Sequence, residues 1–183
     1  SSGRASNAKS QSGSIVVSTP DGSHGMTTGV SGAISVFSGT VLEGRSGAVS
    51  IFSGDAIEGR GGEVTVRIGS GDSGHGADMS VAGGSTTSEG SANGGSVMVA
   101  SGVSHGSHTE SSSGSVSIQT TAAGAVGSSG AIAIQTGTSL VGKTGDLSIA
   151  SGVAVDGRAG SVSVSAGSGS SGAGNFVASS GGA

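Results

Sequence analysis

The chain has 183 residues, of which 40 are Gly, 42 Ser and 13 Thr, with three Phe and neither Trp nor Tyr. Aromatic groups this scarce exclude an ordinary globular core, and a net charge of −4 with 10% charged residues excludes the basic footprint that nucleic acid requires. The absence of Cys removes disulfides, thiolate chemistry and Cys-ligated metals together.

No apolar run approaches the roughly 20 residues of a membrane span. The chain opens Ser1-Ser2-Gly3, without an initiator Met or a signal peptide, as expected of a processed product or of a segment of a longer repetitive protein or filament subunit. Gly and Ser at this level, if unordered, define a low-complexity segment. Periodic aliphatic pairs argue for order instead.

Taken in chain order, apolar–polar–apolar triplets begin at Ile15, Ile34, Val49, Val64, Met79, Val97, Val116, Ile132, Leu147 and Val162, with a degenerate one at Phe176. Their successive spacings are 19, 15, 15, 15, 18, 19, 16, 15, 15 and 14 residues. The clearest copies are Ser31 to Arg45, SGAISVFSGTVLEGR, and Ser46 to Arg60, SGAVSIFSGDAIEGR. Period-two alternation bounded by Gly predicts a short half-buried strand between turns. Repetition at a near-fixed period predicts a solenoid.

The expected fold is therefore all-β: a β-solenoid, or β-helix, of about eleven coils with 14–19 residues per coil, two narrow parallel sheets and uncapped ends. One repetitive domain would span residues 1–183. Side chains two apart share a face of a strand. The inward ladder is expected at Ile34, Val36, Val49, Ile51, Val64, Val66, Ile132, Ile134, Leu147, Ile149, Val162 and Val164. A second short strand would add Leu42, Ile57, Leu140 and Val155 from the opposite sheet. Replacing Ile134 by Asp would then place an unpaired charge in an aliphatic column and collapse several coils.

Charges recur at one corner, in Glu43-Gly44-Arg45, Glu58-Gly59-Arg60 and Asp156-Gly157-Arg158, with Lys143 in a fourth copy. A solvated edge that blocks sideways pairing is their expected use. Three long copies break the rhythm: Ser18 to Val30, which holds the single proline Pro20, Met79 to Asn93, and Val103 to Ser112. Their extra residues are expected to bulge outward as loops. Ser23-His24-Gly25 and Ser104-His105-Gly106 lie 81 residues apart, which hints at a five-coil super-repeat.

Gly71-Asp72-Ser73-Gly74 and Gly102-Val103-Ser104-His105-Gly106 match hydrolase nucleophile patterns, but a chain this rich in Gly and Ser produces such matches by chance. No large core is available to hold a base and a buried acid, so no catalytic residue is expected. His105, His108 and Glu110 are loop residues with nothing to fix a metal geometry. The stretch from Gly69 to Met79 has a faint likeness to a calcium-binding nonapeptide repeat, but it is not iterated. Neither metal nor cofactor is expected.

The unit Ser129-Gly130-Ala131-Ile132-Ala133-Ile134-Gln135-Thr136-Gly137 resembles the Gly/Ser-rich repeats of secreted β-solenoid fibre and adhesin proteins. The resemblance spans nearly the whole chain and implies assembly into surface filaments or coats. The expected partner is then the chain itself, each end pairing with the opposite end of another copy into a head-to-tail filament outside the cell. An ice-binding or adhesin-type module with a flat Ser/Thr face is the alternative.

Asn7, Asn93 and Asn175 are followed two residues later by Lys, Gly and Val, so no N-glycosylation sequon exists. Outward hydroxyls at Ser35, Ser50 and Thr65 and loop hydroxyls at Thr86, Thr87, Ser111 and Ser112 are the expected O-glycosylation sites. Sugars there would hold neighbouring fibres apart.

Overall fold

The computed structural model describes residues 13–22, 29–88, 90, 92–108 and 110–181. The expected β-solenoid is not there: the described residues form neither strand nor helix, hence no sheet and no coil stack. What the repeat builds is a series of loops joined by short extended stretches. Several of the loops are pinched where the chain enters and leaves them, some with Ser or Thr against Gly and others with Gly against Gly.

The clearest loops run from Ser38 to Gly47 and from Ser53 to Gly62. A Cβ built on Gly47 would lie 3.6 Å from the Cβ of Ser38, and one on Gly62 would lie 3.4 Å from that of Ser53. A Cβ on Gly160 would likewise lie 3.7 Å from that of Ser151, and one on Gly145 would lie 3.8 Å from the Thr136 Cγ2. Between pinches the chain is extended, and this is where the apolar–polar–apolar triplets lie. At the far side of the loops come bends at residues 42–44, 57–59, 72–74, 140–142 and 155–157, so the 15-residue period is a period of bends.

Two contact units are distinguished, Ser1–Gly83 and Gly84–Ala183. In the first, Thr19 closes the earliest loop by donating its hydroxyl to the Gly32 carbonyl at 3.0 Å. In the second, three loops close through the backbone. Gly95 donates its N–H to the Gly84 carbonyl at 2.7 Å, Gly114 to Gly102 at 2.9 Å, and Gly174 to Gly167 at 2.9 Å. The three long copies all place their additional residues between closing pairs: 19 and 32, 84 and 95, 102 and 114.

The reason for the missing solenoid lies in the second half of each repeat. A coil of two sheets needs two extended segments, so that aliphatic groups on one cover those on the other. Leu42, Ile57, Leu140 and Val155 were expected to be that cover. They stand instead in the bends, 91–104% exposed. Each has a Gly two residues on, at Gly44, Gly59, Gly142 and Gly157, and so short an apolar segment cannot sustain a strand, because each extra ordered residue costs backbone entropy and brings no further burial.

With no opposing layer the expected ladder is uncovered. Ile34, Val49, Val64, Ile132, Leu147 and Val162 are 51–56% exposed, and Val36, Ile51, Val66, Ile134, Ile149 and Val164 are 63–78% exposed. No described side chain is buried. The accessible area is 18402 Å², against about 7,600 Å² for a compact protein of this mass. Charge burial at Ile134 therefore cannot act as expected, since an Asp there would meet water. Backbone hydrogen bonding agrees: each bond among the described residues is internal to one loop, and none joins successive extended stretches.

Candidate functional site

The described residues form no pocket and no cluster of three His, Asp or Glu side chains suited to a metal ion. His24 and the rest of Ser23-His24-Gly25 lie outside the described residues, as does the amino-terminal stretch expected to pair end to end. The hydrolase-like Ser104 is part of a local turn, its Oγ accepting the N–H of Gly106 at 3.3 Å. Residues 72–74 form a bend in which Gly74 takes a φ of 72°. Both segments are ordinary turns with their side chains in solvent. The flat Ser/Thr face of the alternative reading needs a sheet, and the described residues contain none.

What the repeat does present is an open aliphatic surface. Every repeat from Ile34 to Val162 sets two branched or long apolar side chains two residues apart on an extended stretch. The first member of each pair is the more covered of the two. That asymmetry is invisible in the sequence, where the two positions look alike. Phe37 and Phe52 directly follow two of these pairs and are also open to solvent. The backbone of these stretches has its N–H and C=O groups free of protein partners among the described residues. Exposed, they are satisfied by water, so the arrangement carries no penalty in the isolated chain.

The candidate glycosylation residues are all exposed. Two are engaged locally: Thr65 donates its hydroxyl to Glu63 Oε1 at 2.8 Å, and Thr86 Oγ1 accepts the N–H of Ser88 at 3.2 Å. Ser35, Ser50 and Thr87 lie open on extended stretches or loops, and Ser111 and Ser112 sit inside the loop closed by Gly102 and Gly114. The charged triplets fall in or directly after bends, with Glu43, Glu58 and Asp156 inside them and Arg45, Arg60 and Arg158 one step beyond.

The pinch itself escaped the sequence reading, although it has a signal. Ser and Gly alternate at nine and six residues, as in Ser38, Gly47, Ser53 and Gly62, and the nine-residue interval is the loop. No family model matches the chain, and no curated protein or solved structure matches it either.

Proposed function

We propose that this chain is a non-catalytic structural protein of the cell exterior that associates with copies of itself into filaments or a surface coat. The observation that carries the reading is the row of exposed aliphatic pairs, repeated at steps of 15–19 residues from Ile34 to Val162 on backbone without a hydrogen-bond partner among the described residues. Aliphatic groups left in water favour association by roughly 25 cal/mol per Å² removed from solvent. Unpaired extended backbone is a ready template for another chain. Within the runs of constant spacing, Ile34 to Met79 and Ile132 to Val162, a second copy shifted by one repeat still sets pair against pair. A staggered contact of that kind does not close on itself and propagates head to tail.

O-linked sugars on exposed hydroxyls belong to the same reading. With only 10% charged residues, the surface has little charge to limit sideways association. Ser35, Ser50, Thr87, Ser111 and Ser112 are the open acceptors, and Thr65 and Thr86 become acceptors on giving up their local bonds. Electron microscopy of concentrated material tests the assembly: threads or sheets are expected, and dispersed single chains would refute it. The intact mass of material from the natural source tests the sugars, because a species at the bare 16.7 kDa would leave the hydroxyls unmodified.

A further inference from the structure

Of the described Lys and Arg residues, Arg67 alone stands away from the bends, on the extended stretch that carries Val64 and Val66. Glu63 and Arg67 flank that triplet, and no other triplet has a charged residue on both sides. The segment Glu63-Val64-Thr65-Val66-Arg67 therefore reads acid, apolar, hydroxyl, apolar, base about a centre at Thr65. Thr65 donates its hydroxyl to Glu63 Oε1 at 2.8 Å, which places these two side chains on one face of the stretch. Arg67, two residues further on, shares that face by alternation, and Val64 and Val66 lie on the other.

Glu63 and Arg67 cannot satisfy each other within one chain, because four residues of extended backbone span about 13 Å. Val64 and Val66 are 51% and 72% exposed, and no backbone hydrogen bond among the described residues engages positions 63–67. A second copy laid antiparallel, Thr65 against Thr65, answers all of these at once. Glu63 of each copy then faces Arg67 of the other, and Val64 faces Val66. A parallel copy in the same register would set Glu63 on Glu63 and Arg67 on Arg67. Shifted by one repeat, it would set Arg67 against Phe52 or Ala82. Among pairings of triplet with triplet, the antiparallel one alone gives both charges a partner.

Resting on the self-association proposed above, we infer that two copies pair antiparallel about Thr65, with a Glu63–Arg67 ion pair at each end of the contact. The contact is isologous, the same residues serving on both sides. The same register sets Val49-Ser50-Ile51 of one copy against Met79-Ser80-Val81 of the other, because both triplets lie 15 residues from the central one. All three triplets belong to the Ser1–Gly83 unit. The triplets from Val97 to Val162 take no part and stay open for the staggered contacts by which the pair grows. A sugar on Thr65 would break its bond to Glu63 and crowd its counterpart, so this contact belongs to chains unmodified there.

The chain lacks Cys, so introduced thiols report the register directly. Full-length protein without sugars, at millimolar concentration, is mildly oxidised and its cross-links are read by mass spectrometry. Thr65→Cys should form a disulfide between copies, since residues directly opposite hold their Cβ atoms about 4.5–5.5 Å apart. Ser50→Cys and Ser80→Cys should each stay uncross-linked alone and cross-link when mixed. Arg67→Glu should weaken association about tenfold, because each facing pair becomes two acids. Adding Glu63→Arg to the same chain should restore it. Chains that associate but fail to cross-link at Thr65→Cys, cross-link at Ser50→Cys alone, or ignore Arg67→Glu overturn the antiparallel register and leave self-association standing. Chains that stay single at millimolar concentration overturn both.

Discussion

Ser53 and Gly62 stand nine positions apart in sequence, yet a Cβ on Gly62 would lie 3.4 Å from the Ser53 Cβ. That approach makes one repeat a loop with a waist, and it recurs with Ser38 and Gly47, Thr136 and Gly145, and Ser151 and Gly160. The waist has a Ser or Thr on one flank and Gly on the other, with room for a Cβ there at ordinary van der Waals contact. Loop length is then free to vary, because Ser or Thr also faces Gly across ten residues at Thr120 and Gly130 and across thirteen at Ser101 and Gly114.

The shortest of the closing backbone hydrogen bonds, Gly95 to Gly84 at 2.7 Å, gives the most direct test of this geometry. A Cβ on Gly95 would come within 2.9 Å of the Gly84 nitrogen, where only backbone could move aside. Gly95→Ala should therefore break the Gly95 N–H to Gly84 carbonyl bond, worth roughly 0.5–1.5 kcal/mol net. Amide hydrogen exchange at position 95 should rise accordingly. Gly54→Ala is the control: no atom outside its chain neighbours lies within 4 Å of that Cβ, and exchange should not change.

Glu58 is the single described residue other than Gly with a left-handed backbone, at φ 58°. That conformation costs an L-residue roughly 1–2 kcal/mol. Glu58→Gly should lower that cost and populate the bend at 57–59 more fully, seen as stronger nuclear Overhauser contacts between Ser53 and Gly62. Glu58→Val should weaken them, because a β-branched side chain tolerates the conformation least.

Ile134→Asp separates the role of the aliphatic row from any role in the fold. Ile134 is exposed in the isolated chain, and exposed substitutions usually shift stability by no more than about 0.5 kcal/mol. The circular dichroism of dilute protein should not change. Association should weaken, since the new charge would have to be desolvated wherever another copy covers it. A large spectral change in dilute protein would place Ile134 inside a core and contradict the open arrangement.

The period was legible in the sequence, and so was the extended stretch around each triplet. Val49-Ser50-Ile51 alternates clearly, and the Gly residues on either side of each repeat mark where the chain turns. What alternation could not reveal was the partner of that stretch. Leu42 and Ile57 each end an adjacent apolar pair, with Val41 and Ala56, before an acid and a Gly, and two adjacent residues show no alternation from which to tell strand from bend. Burial is a property of opposing layers, so reading Val49 and Ile51 as inward assumed a layer that the bend at 57–59 replaces. Nor could the sequence rank Val49 above Ile51 in cover. The candidate surface was thus named residue by residue, but as a core and not as an outer face.

The central claim is that the aliphatic row, open in the single chain, is covered by other copies of it. Sedimentation velocity across micromolar to millimolar concentrations measures this most directly. The account predicts a weight-average mass that climbs steadily with concentration, without levelling at a closed dimer or trimer, and that falls back for Ile134→Asp. A single species at 16.7 kDa throughout the range would contradict it.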